Sequence, residues 1–93
     1  MDLPRGWTLD RVREVAQATE QPRLVPPDSA EVVVETTAGP EPVAASTILF
    51  VGGYHLVLPE GEDDDWLMGL AGADGRIVCW ASYGTLENAL RSL

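Results

Sequence analysis

The sequence predicts an α+β fold: a single small domain over residues 1–93, with a mainly antiparallel sheet of about five strands flanked by an N-terminal and a C-terminal helix, in the order α-β-β-β-β-β-α. Three observations predict it. Apolar residues recur at three- and four-residue spacing only near the two ends of the chain. Between those ends the period switches to two, in runs rich in β-branched residues. Short segments of turn chemistry separate the runs.

The elements follow in order. Residues 1–7 are a lead-in, and Thr8 is the expected N-cap of a helix over about 9–19, with Asp10 in its first turn and Trp7 and Val12 placed as a hydrophobic staple. Leu9, Val12, Val15 and Ala16 form a narrow apolar stripe opposite Arg11, Arg13 and Glu14. Pro22, Pro26 and Pro27 make residues 20–29 an extended connector, because proline lacks an amide donor and disfavours helical angles in the residue before it. From Ala30, the alternation of Ala30, Val32, Val34 and Thr36 with Glu31, Val33, Glu35 and Thr37 predicts a half-buried strand. Ala38–Pro42 (AGPEP) reads as a turn, and Val43–Val51 as a second strand. Gly52-Gly53 reads as a two-residue hairpin turn into a third strand, Tyr54–Leu58, which Pro59 stops.

After an acidic loop at 59–65, Trp66–Ala71 and Arg76–Ala81 are expected to pair across a turn at Gly72–Gly75. Thr85 caps a last helix, in which Leu86, Ala89, Leu90 and Leu93 fall on one face. Burying a large apolar side chain contributes about 1.5–3 kcal/mol, so this helix is expected to close the core over the sheet.

Composition narrows the function classes. The chain carries a formal charge of −9, and its six basic residues are all arginine. Nucleic acid and anionic membrane are poor partners for such a chain, because counterion release needs a basic face; a basic protein surface is the expected one. The all-arginine usage, with abundant Ala, Gly, Pro and Val, suggests a bacterial, high-GC genome. A single cysteine, Cys79, and no apolar leader in MDLPRGW predict a reducing, cytoplasmic setting.

The most unusual stretch is Glu60–Asp65, with five carboxylates in six positions. Glu60, Glu62, Asp63, Asp64 and Asp65, with Trp66 immediately after them as an aromatic anchor, form the candidate partner-binding surface. The competing reading is a solvated loop whose charge keeps strand edges of neighbouring molecules apart. Calcium loops alternate their carboxylates around a glycine, whereas Asp63, Asp64 and Asp65 are consecutive, so no metal site is expected. His55 has no partner that sequence can place beside it, and Cys79 lies in an apolar IVCWA context that suits an inert core thiol. Trp80 is expected in the core. The glycines lack the helix, lysine and hydroxyl of a phosphate loop.

No catalytic residue or cofactor is therefore expected, and the chain reads as a small acidic, non-enzymatic interaction protein: an inhibitor, immunity or antitoxin-like protein, or an adaptor. The alternative is a small-molecule-binding or regulatory domain with Tyr54, Trp66 and Trp80 lining a sheet face.

Overall fold

A computed structural model of the chain describes residues 3–62 and 65–93. Its elements run α1 (Leu9–Ala16), β1 (Arg23–Val25), β2 (Val32–Thr36), β3 (Gly39–Val43), β4 (Ala45–Val51), β5 (Tyr54–Pro59), β6 (Trp66–Ala71), β7 (Ile77–Tyr83) and α2 (Leu86–Arg91). The strands form one curled, seven-stranded sheet in the order β1-β4-β5-β6-β7-β2-β3. Every pairing is antiparallel except β2 with β7. The α+β class holds, but the five-stranded α-β-β-β-β-β-α order is corrected to seven strands between two short helices.

Both extra strands hide behind proline. β3 occupies the segment that turn chemistry predicts to be a loop, with Pro40 opposite Glu35 and Pro42 opposite Val33. Antiparallel partners alternate between amides aimed into the ladder and amides aimed away. Prolines two apart are compatible with an edge strand when both ring nitrogens point away, and the ladder is then carried by Gly39, Glu41 and Val43. β1 is a three-residue strand inside the expected connector, pairing Arg23, Leu24 and Val25 with Phe50, Leu49 and Ile48. It lies between Pro22 and Pro26, which limit its length.

Several local expectations hold. Thr8 and Thr85 cap their helices, accepting from the amides of Arg11 and Asn88 at 3.1 Å each. Gly52 and Gly53 turn β4 into β5 with φ of 61° and 84°, angles that disfavour any residue with a Cβ. The first helix stops at Ala16 rather than near 19, because Gln17 adopts a left-handed conformation (φ 55°) and its amide returns to the carbonyls of Arg13 and Glu14. The β6–β7 connection spans residues 72–76, one more than expected, since Ala71 pairs with Ile77.

The sheet has an apolar cluster on each face. On the outer face, α1 and α2 cover Leu49, Val51, Leu56, Leu58, Trp66 and Met68, and add Val12, Leu86, Ala89 and Leu90 to them. On the inner face, Val32, Ile48, Val57, Ile77 and Cys79 are buried with no helix over them, joined by Val25 from one edge strand and Val43 from the other. A flat sheet of this order would hold its edges roughly 29 Å apart, six strand spacings of about 4.8 Å. The curl brings them to one cluster, so the inner face buries itself as a half-barrel does.

Candidate functional site

The acidic loop begins where β5 ends. Glu60 donates its amide to the carbonyl of Ala44 at 2.8 Å, and Glu62 donates to that of Pro59 at 3.2 Å, with Gly61 at φ 84° completing the turn. Glu60, Glu62 and Asp65 are all exposed. Among the described residues none of the three forms an ion pair. Asp63 and Asp64, the other two carboxylates of the predicted surface, lie outside the described residues. Among those that are described, no three His, Cys, Asp or Glu side chains converge as metal ligands.

Trp66 does not accompany the loop to the surface. It is 0 % exposed, at the centre of the outer-face cluster, whereas Trp80 is 51 % exposed. The two tryptophans thus exchange the environments expected of them. Trp66 and Met68 alternate onto the part of the outer face that the helices cover, and the indole packs there although its Nε1 finds no hydrogen-bond acceptor. The same alternation carries Leu70 onto that face beyond the helices, where it is 45 % exposed.

Strand register places two further valines on this face, Val78 half-buried and Val33 buried. Leu70 pairs with Val78, and Val78 with Val33, so the three share the outer face. Trp80 joins them through a β-bulge. Met68 pairs with Ala81 and Gly69 with Cys79, which leaves Trp80 as the extra residue on β7. Gly69 makes the bulge possible: a Cβ there would lie 2.4 Å from the carbonyl oxygen of Val78 and 2.9 Å from Sγ of Cys79. Tyr54 meets the indole edge-on, with ring centroids 6.2 Å apart. One step beyond the last β2–β7 pair, Val34 with Cys79, the exposed Glu35 is the next residue on the neighbouring strand. Leu70, Glu35 and the bulge were not read as parts of a surface from sequence; a glycine inside an otherwise apolar strand was the available signal.

On the inner face, His55 pairs with Gly69 and Gly69 with Cys79, so a histidine and a thiol share one row with a glycine between them. Burial pushes the Cys79 thiol up to about 11. Burial, with help from the Arg23 guanidinium, holds the His55 imidazole below its ordinary value. Near neutral pH the thiol stays protonated and the ring neutral, the opposite of the thiolate–imidazolium pairing that activates a cysteine. The His55 ring packs against Phe50 at 4.8 Å, and its Nδ1 has no hydrogen-bond partner.

A cleft of about 520 Å³ opens where the curled sheet fails to close, between Pro27–Val32, Pro42–Ala45 and Glu60. Its walls are aliphatic and its charged lining residues are Asp28, Glu31 and Glu60. No known family, curated protein or solved structure matches this chain. No helix among the described residues is long and apolar enough to cross a membrane.

Proposed function

We propose that this chain is a non-enzymatic interaction protein that docks on a basic protein surface and acts by covering it, as inhibitors, immunity proteins and antitoxins do, or as an adaptor. The observation that carries this reading is the pairing of a −9 charge with exposed carboxylates in the 59–65 loop that are free of ion pairs among the described residues. Carboxylates left in water raise the rate of encounter with a cationic surface, and the gain falls with salt.

The experiment is a capture from a lysate of the source organism, followed by association kinetics with the captured protein over a range of ionic strength. The reading expects a basic partner whose on-rate falls steeply with salt. Replacing Glu62, Asp63, Asp64 and Asp65 together by Gln or Asn slows association and flattens that salt dependence. An unchanged on-rate at low salt overturns docking through the loop. A second reading, small-molecule binding, has the cleft beside Glu60 in its favour, and the carboxylates there favour a cationic ligand. The face expected to be lined by Tyr54, Trp66 and Trp80 does not support that reading, because Trp66 is buried beneath the helices.

A further inference from the structure

We propose that the bare part of the outer sheet face, centred on Trp80, is where the basic partner seats an arginine or lysine side chain, with the indole against the cation and Glu35 beside it. This rests on the reading of the partner as basic, and it moves the energetic centre of the interface from the acidic loop to the sheet.

The strand edges and the packed part of the inner face are poor places for a partner to dock. A partner strand cannot extend the ladder at β3, whose outward positions are Pro40 and Pro42 and offer no amide donor. The opposite edge, β1, presents three residues between prolines. The inner face is filled by its own side chains, and the helices cover the rest of the outer face. What remains on the sheet is Leu70 and the half-buried Val78, with Trp80 and Tyr54 beside them.

Trp80 is exposed by construction, because the bulge opposite Gly69 directs it to this face and Tyr54 braces it. Tryptophan combines a large apolar area with few rotatable bonds, the combination that dominates interface energetics. Its π-face also binds cations. Elsewhere the chain covers aromatic rings with its own guanidinium groups: Arg11 sits 4.5 Å from the ring centroid of Trp7, and Arg23 sits 4.9 Å from that of Phe50. Among the described residues no arginine covers Trp80. Arg76, in the connection just before β7, is drawn instead to Glu31 at 3.4 Å.

Charge selects the occupant. With Arg76 paired to Glu31, Glu35 is the carboxylate on this face without an ion-pair partner among the described residues. A second copy of the chain, itself at −9, would meet Glu35 with more negative charge, whereas a cationic side chain satisfies both Glu35 and the indole.

The test uses the whole ¹⁵N-labelled chain and, as probe, an acetylated and amidated Arg-Leu-Arg-Leu-Arg peptide at low salt. The indole N–H of Trp80 and the amides of Val33, Glu35, Leu70 and Val78 are expected to shift together and saturably. Trp80→Ala and Glu35→Gln should each weaken binding about fivefold or more, while Trp80→Phe retains most of it. Near-UV circular dichroism checks that the variants are folded. Shifts confined to residues 60–65, with Trp80→Ala neutral, overturn the Trp80 site and leave the basic-partner reading standing. No saturable binding at all overturns both. Equal binding of a peptide with glutamate in place of arginine, or a solution dimer that Trp80→Ala dissolves, overturns the choice of a cationic occupant.

Discussion

The outer sheet face has two halves built from the same strands. In β6, Trp66 and Met68 lie under the helices and are sealed from water, while Leu70, two residues on and on the same face, is 45 % exposed. The strand and the alternation are common to both halves; what differs is the helix. Trp66 and Met68 pack in one cluster with Val12 of α1 and Leu86, Ala89 and Leu90 of α2, to which Leu70 and Trp80 do not belong. The comparison teaches that an apolar position on a strand is a core position only where something covers it.

That comparison can be broken most forcefully from the covered half. Leu90→Ala removes a fully buried side chain that α2 presses onto the sheet, and it should cost about 2–5 kcal/mol in chemical denaturation. A denaturation midpoint that barely moves would mean that the helix does not hold the covered half in place. Gly69→Ala tests the boundary between the halves. The added Cβ meets the Val78 carbonyl, so β7 must shift, at a cost of about 1–3 kcal/mol and with a change in the emission of Trp80. Retention of wild-type stability together with an unmoved Trp80 spectrum would show that the bulge does not depend on glycine.

The inner face supplies a pH-dependent check. His55 titrates below its ordinary value in the fold, so the unfolded chain binds the proton more readily. The stability contributed by the neutral ring is present above about pH 6.5 and is lost as pH falls through the lower folded-state value. Denaturation midpoints should therefore drop on acidification through that window, and His55→Gln should remove that part of the drop; an identical pH profile in the variant would rule out His55 as its source. The smallest effects belong to the bare half. Leu70→Ala and Trp80→Ala should each change stability by less than about 1 kcal/mol, because neither side chain completes a packed core. Thermal or urea unfolding decides it, and a loss comparable to that of Leu90→Ala would mean that the bare half is structural.

Much of the local structure was legible in the chain. The caps at Thr8 and Thr85, the hairpin at Gly52-Gly53 and the burial of Leu86, Ala89 and Leu90 follow from chemistry within a few residues. β3 was not legible, because proline argues against a strand unless one knows that it lies at an edge with both ring nitrogens turned outward. β1 was too short to show a period. For the candidate site, the exposed carboxylates at Glu60, Glu62 and Asp65 could be read from their charge alone. The environments of Trp66 and Trp80 could not, since both are tryptophans in strands of similar pattern and their difference lies in what is packed above them.

The sequence by itself determined the helix N-termini, the alternation within β2 and β5, and the excess of negative charge, all of which depend on local hydrogen bonding, side-chain period or composition. Only the tertiary structure decided the strand order, the parallel pairing of β2 with β7, the curl that buries Ile48 and Val57 without a helix, and the exposure of Trp80. Each of these is a contact between residues far apart in the chain, and the free energy that selects among such contacts comes from surfaces that exist only after the chain has folded.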